Sequence, residues 1–503
     1  MIYNNSTAMG KKKRRQVAGD ADDDAASSLR RQERECVERL SLASRRAMFQ
    51  LEQWSSGVED NPDSDEKLRL CMDLAWDAAA SLEAVQEQIY PSGHDFLKED
   101  APSMKDFELF EEWLKENGCD VRGNVTFASS GISSAGNGVY CSRSFEKGQV
   151  AFRVPAKLMI SSFHDDSCSV DMLKDIDDPL VKSSDQLRLA ASLLHERARA
   201  SESFFWPYIR ILPRRHPTIP IYFSAEEMWR LRASQHFPVF CKRYMQVAGF
   251  YVSLFCSDIS TGPPSCPFTL RNFKWALSSA MSRQNNVGGG LAFVPLFDLC
   301  NHEPGGEYTT AYNPDSHSLE CAAMRAFGKD EEFKIFYGPR PSHELLMFSG
   351  FVLGQGDNLH DAHVVTLGLN PADPLHKIKK NLLCRARVAD SSGYAQIRIG
   401  ADDIRKGSLP SSLFLFGRVA VMTKEECLIF MKRKDVDAVI SDSNEASARA
   451  YLRSALSGAL QNYATCEERF ESDSSPVASC SLQLLRNEAW ILRSAFQMIN
   501  DDR

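Results

Sequence analysis

The stretch from Leu291 to Gly338 constrains this chain more than any other. It opens with an apolar, strand-like run (Leu291, Phe293, Pro295, Phe297) that ends in Asp298-Leu-Cys-Asn301-His302. Two alternating segments follow, and the second closes on Phe336-Tyr337-Gly338. Side chains on a strand alternate with a period of two, so Phe333, Ile335 and Tyr337 are expected on one face of a strand over Glu332 to Tyr337. That places a phenol at a strand end just before a glycine turn, positioned to face a cavity.

A chain of 503 residues has room for two or three domains around this stretch. With 43% hydrophobic and 25% charged residues the composition is that of a soluble globular protein. No apolar run reaches bilayer length and the N-terminus is polar and basic, so no membrane association is expected. The 14 cysteines are scattered without a Cys-x-x-Cys pair, which argues against a disulfide framework or a zinc site. No metal is expected, and a reducing, cytoplasmic location is, with the nucleus as a second address. A net charge of −8 speaks against a general nucleic-acid binder. We expect a monomer.

Residues 1–30 read as a disordered tail: Lys11-Lys-Lys-Arg-Arg15 precedes an acidic run, Asp20 to Asp24. It is either a localisation or partner segment or simply a solvated tail. Residues 31–118 read as an N-terminal helical region, with Leu68, Met72, Leu74 and Ala75 as one apolar stripe. Its last helix, Met104 to Asn117, stops at Gly118. From 119 to 338 the pattern is mostly β, including Val150, Phe152 and Val154, but helices interrupt it over about 165–280. Within them the run Phe204 to Leu212 is either a substrate wall or core. Residues 339–503 are mostly helical, with Leu452, Ala455, Leu456, Ala459, Leu460 and Tyr463 on one apolar face and Leu485, Ala489, Leu492, Phe496 and Ile499 on another.

An Asn-His pair followed about thirty-five residues later by Phe-Tyr-Gly resembles the signature of the SET-domain protein methyltransferases, and most nearly the actin-histidine N-methyltransferases. Ser282-Arg283-Gln284-Asn285, Thr309-Thr-Ala-Tyr312-Asn313, Phe336-Tyr337-Gly338-Pro-Arg340 and Ser349-Gly350-Phe351 carry the likeness further, over roughly residues 105 to 430. The resemblance implies an α+β fold: a mostly-β SET domain split by the helical insertion, then an all-α substrate-binding domain like that of the Rubisco lysine methyltransferase. It implies S-adenosyl-L-methionine as cofactor and a protein, actin, as substrate.

By resemblance, Ala135, Gly136 and Asn137 belong to the segment that meets the cofactor; taken alone, that Gly-x-Gly is a plain hairpin turn. Arg283 matches a position that meets the cofactor carboxylate. Asp298, Asn301, His302, Ser349 and Phe351 match further cofactor positions. Tyr337 matches the residue lining the methyl-transfer channel, and Gln284, Phe297, Tyr312 and Arg340 match substrate contacts. Asn285 sits where the histidine-methylating group has an asparagine, whose amide can hold the second ring nitrogen. Lysine-methylating relatives have an aromatic residue there. Phe297 departs from the tryptophan typical of the histidine group, which leaves lysine methylation as an alternative. A non-catalytic binding protein is the other.

Overall fold

Leu40, Ala47 and Leu51 recur along one face of helix α1 (Ser6–Ser56), and Leu68, Met72, Ala75, Ala79 and Leu82 along one face of α2 (Asp63–Ile89). Spacings of three, four and seven put each set on a single stripe. The two stripes close on each other as a helical hairpin, each buried leucine contributing about 1.5–3 kcal/mol. The computed structural model describes residues 6–56, 63–91, 95–98, 102–119, 121–128, 138–162, 184–256, 267–287, 289–432, 439–470 and 473–500, with side chains from residue 25 on. The segment holding Ala135, Gly136 and Asn137 lies outside them. Where the sequence suggests a disordered tail through residue 30, the backbone is helical from Ser6; the alanines, lysines, arginines and glutamines there favour helix without needing a core.

The chain divides into two compact units, Met1–His216 with Cys241–Tyr337, and Pro217–Phe240 with Gly338–Arg503. In the first, α3 (Met104–Glu116) opens with a capping box between Ser103 and Asp106 and buries Phe107, Phe110, Trp113 and Leu114. Its chain then turns at Gly118, whose φ of 88° suits a residue without Cβ. Three small antiparallel sheets follow among the described residues. β1 (Val125–Ala128) pairs with β2 (Gly138–Cys141). β3 (Val150–Pro155) pairs with β8 (Ser318–Ala322), which pairs with β7 (Thr310–Asn313). β4 (Ile160–Ser161) and β5 (Gln284–Val287) flank β6 (Gly290–Phe293). A register shift between Val150 and Phe152 breaks the alternation expected of β3, so Ala151 and Phe152 are both buried.

Helices α4 (Asp185–Ala198), α5 (Trp206–Ile211) and α6 (Leu270–Arg283) come from the interruption in the strand pattern. The run Phe204 to Leu212 is largely core: Phe205, Tyr208, Ile209, Ile211 and Leu212 are buried, though Phe204 is exposed. The helical hairpin packs onto α6 through Gln86, which is fully buried. Its Nε2 donates to Glu33 at 2.9 Å and to the Tyr251 hydroxyl at 2.6 Å, and its Oε1 accepts from the Leu270 N–H at 2.9 Å.

The second unit is helical, with α7 (His376–Arg385), α8 (Ser411–Val421), α9 (Asp442–Glu467) and α10 (Pro476–Asn500). Leu452, Leu456, Tyr463, Leu485, Ala489, Leu492 and Ile499 are buried as their spacing predicts, whereas Ala455, Ala459, Leu460 and Phe496, at the edges of the two stripes, are only half-buried. To these the structure adds an antiparallel pair, β9 (Ala362–Gly368) and β10 (Tyr394–Gly400), whose burial alternates along both strands. A cavity of about 200 Å³ opens within this unit, lined among others by His236, His343, Asp361, Asn487 and Glu488. None of the motif residues lines it.

Candidate active site

Two chain segments cross in the first unit, and their crossing brings Asn301 and His302 to Tyr337. Instead of the strand expected over Glu332 to Tyr337, the backbone makes isolated bridges, Tyr140 with Glu332 and, in parallel, His302 with Ile335. The Ile335 N–H donates to the Asn301 carbonyl and the Glu303 N–H to the Ile335 carbonyl, both at 2.9 Å. Phe333 and Ile335 are buried as expected, but so is Phe336, because a lone parallel bridge does not enforce strict alternation. The backbone N–H of Tyr337 donates to His302 Nδ1 at 3.2 Å, and its hydroxyl donates to the Cys300 carbonyl at 2.8 Å. Gly338 follows with a φ of 105°. Asn301 Nδ2 donates to Glu332 Oε1 at 2.6 Å.

The second half of the site hangs on the turn after β6. Leu296 has φ 70° and ψ −52°, a strained conformation for a side chain with a Cβ. Two reciprocal bonds hold it: the Asp298 N–H donates to the Val294 carbonyl at 3.0 Å, and the Val294 N–H donates to Asp298 Oδ2 at 2.9 Å. Complete burial of the Leu296 side chain offsets the strain. The turn delivers Phe297, itself buried, and then Asp298.

The Asp298 carboxylate is encircled by donors. Oδ2 also accepts from the Tyr208 hydroxyl at 2.7 Å, and Oδ1 accepts from Asn285 Nδ2 at 2.8 Å. Burial dominates its acidity and pushes the carboxyl up to about 7, against the pull of Tyr208, Arg283, the Val294 N–H and Asn285. Tyr208 is wedged between Phe110 and Phe293, with ring centroids at 6.3 and 6.4 Å. Burial first, then Asp298, raises its phenol well above the usual range. No motif pointed to Tyr208, and the only signal was its place in the aromatic run.

Helix α6 ends on Arg283, and the chain bends into β5 at Gln284 (φ −66°, ψ 134°). Arg283 donates to the Ser282 hydroxyl at 2.9 Å, while its buried Nε has no partner. Asn285 Nδ2 donates to the Arg283 carbonyl at 2.9 Å as well as to Asp298. Gln284 is engaged by Gln186, whose Nε2 donates to its Oε1 at 2.8 Å. Tyr312 lies half-buried in β7, opposite Leu319. Burial, with Arg283 second, pushes His216 down to about 3, and its Nε2 lies 3.3 Å from the Ser279 hydroxyl. Arg340, Ser349 and Phe351 belong to the second unit, where the Arg340 carbonyl accepts from Asn358 and the buried Ser349 hydroxyl has no partner. Among the described residues no group of three His, Cys, Asp or Glu gathers to hold a metal, and no helix is long and apolar enough to cross a membrane.

Known proteins are similar to this chain in sequence and in fold. A family model described as Rubisco LSMT substrate-binding matches residues 370–498. Actin-histidine N-methyltransferases are 30% identical: that of Dasypus novemcinctus over 76% of this chain and 67% of its own length, that of Xenopus tropicalis over 79% and 70%, and that of Homo sapiens over 76% and 66%. The chain thus spans about two thirds of these relatives. Among solved structures, the SET domain of LSMT bound to lysine and AdoHcy superposes with a TM-score of 0.59 at 20% identity, covering 79% of this chain and 92% of that one. Rubisco LSMT bound to AdoMet gives 0.57 at 20%, covering 78% and 91%. The chain belongs to the actin-histidine N-methyltransferase family and is a SET-fold protein methyltransferase.

Proposed function

We propose that this enzyme moves a methyl group from S-adenosylmethionine to a side-chain nitrogen of a histidine in actin. The observation that carries the histidine assignment is Asn285, an amide held between Asp298 and the Arg283 carbonyl. An imidazole has two nitrogens; when one attacks, the other must be paired, or it is left unsatisfied at a cost of about 1–3 kcal/mol. An amide at that place can pair it. A histidine also needs no prior deprotonation, since imidazole titrates near about 6.5 and lysine near about 10.4.

The donor supplies, when bound, an electrophilic methyl on a sulfonium. Arg283 suits its carboxylate, because the buried, unpartnered Nε shows a guanidinium with unused hydrogen-bonding capacity. Asn301 and His302 hold the amino-acid and adenine parts in this reading. Tyr337 lines the transfer channel. Its hydroxyl donates to the Cys300 carbonyl, and a phenol of pKa about 10 stays protonated at neutral pH, so it does not act as a base. Gln284, Phe297 and Tyr312 receive the substrate. The chain's own residues align and exclude water, which is most of what a direct displacement requires.

Lysine is the second reading. Phe297 favours it, being smaller than the tryptophan of the histidine group. Incubating the enzyme and donor with native actin and a histone mixture, then mapping the product by mass spectrometry, separates the two. Methylhistidine on actin, lost in Asn285→Phe, is expected. Methyllysine as the sole product would overturn the assignment.

A further inference from the structure

Resting on the histidine reading, the geometry points to Asp298, backed by Tyr208, as the positioning residue that fixes the polarity of the Asn285 amide and thereby selects which imidazole tautomer reacts. Asn285 sits between two acceptors, Asp298 Oδ1 at 2.8 Å and the Arg283 carbonyl at 2.9 Å. Only an NH₂ group can face both. The amide is therefore turned so that Oδ1 is what remains for a substrate.

A carbonyl-type oxygen accepts and cannot donate. The ring nitrogen that meets Asn285 must bring a proton, so the lone pair lies on the opposite nitrogen, and that nitrogen attacks. As the N–CH₃ bond forms and the S–CH₃ bond breaks, the sulfonium becomes a neutral thioether and the ring becomes an imidazolium. Asn285 Oδ1, with a carboxylate behind it, faces the charge that develops. The methylated ring then sheds the N–H proton to water and leaves neutral. Tyr208 and the Val294 N–H hold the far oxygen of Asp298, so the negative end of the relay cannot swing away.

Asp298 also closes the strained turn at Leu296, and the test must separate that role from this one. Tyr208→Phe removes a donor that favours the carboxylate but leaves both reciprocal bonds with Val294. Its effect should be a shift, not a loss: the acid limb of kcat/KM set by Asp298, near 7 in the wild type, should move up by about one pH unit. The limb set by the free peptide's imidazole should stay in place. Asp298→Asn puts an NH₂ against that of Asn285; it should lower kcat, read at saturating donor, at least tenfold and abolish the enzyme limb. The wild-type product should be a single N-methyl regioisomer.

An unmoved limb in Tyr208→Phe, or full kcat in Asp298→Asn at saturating donor, would overturn the inference. So would a mixture of the two regioisomers. If the wild type makes methyllysine instead, the histidine reading fails, and the limb shift is still read on that product.

Discussion

The Tyr337 backbone N–H donates to Nδ1 of His302 across 3.2 Å, thirty-five positions away in the chain. A ring nitrogen that accepts cannot carry the proton, so in the neutral ring the proton of His302 sits on Nε2. The same bond ties the motif of one segment to that of the other.

Two substitutions divide the roles at this junction. His302→Ala should weaken donor binding by about tenfold or more, because it leaves the Tyr337 N–H without its acceptor and loosens the junction of the two segments. Tyr337→Phe should leave donor affinity within about twofold while turnover falls on the order of 10- to 100-fold. Calorimetry with the donor and single-turnover methylation of actin measure the two quantities. Wild-type turnover in Tyr337→Phe would remove this residue from the channel.

Gly138, at the start of β2, carries a prediction about Asn301. A Cβ there would lie 2.9 Å from Glu332 Oε1, the atom that accepts from Asn301. Gly138→Ala should push the flexible glutamate aside and release the amide, so donor affinity falls several-fold with little change in melting temperature. A drop in melting temperature without a drop in affinity would contradict this.

The helical hairpin should support the site through one buried residue. Gln86→Ala strips partners from the Leu270 N–H and from Glu33, and each unsatisfied buried group costs about 1–3 kcal/mol. Gln86→Glu would instead set a carboxylate beside Glu33. Denaturant titration of both variants should place the alanine below the wild type and the glutamate lower still at pH 8. Equal stability of all three would mean that the hairpin contributes nothing through this contact.

The second unit should lose stability as the medium turns alkaline. Burial pushes Glu488 up to about 8, although Tyr463 and Ser234 each donate to it at 2.9 Å. A carboxyl whose folded pKa is raised contributes stability below its unfolded value, near 4.5, and loses it as pH rises through about 8. Burial acts oppositely on the histidines, driving His236 to about 3 and His343 and His363 to about 4, so acid also destabilises the unit, below about 6.5. Comparing melting temperatures of the wild type and Glu488→Gln from pH 5 to 9 isolates the glutamate. The variant should gain on the wild type from pH 5 to about 8 and hold that gain above it, and a pH-independent difference would refute the assignment.

The motif residues were legible because their chemistry is tied to residue type and local order. Asn301, His302 and Tyr337 announce themselves by spacing, and the stripes of α2, α9 and α10 by periodicity. The strand expected at Glu332 was not formed, because a segment that pairs with neighbours on two sides, one bridge at a time, satisfies its backbone without a ladder. The β9–β10 pair escaped notice because its alternating residues lie in a helical neighbourhood that suggests a bundle.

By itself, the order of residues determined which groups exist to do chemistry and which faces must be buried, since both follow from side-chain type and short-range period. Only the tertiary structure decided that Tyr208 reaches Asp298, that Asp298 turns Asn285, and that residues 217–240 join the second unit. Tyr208 and Asp298 alone lie 90 residues apart. A hydrogen bond over such a gap depends on how helices and turns pack, and no local pattern encodes it.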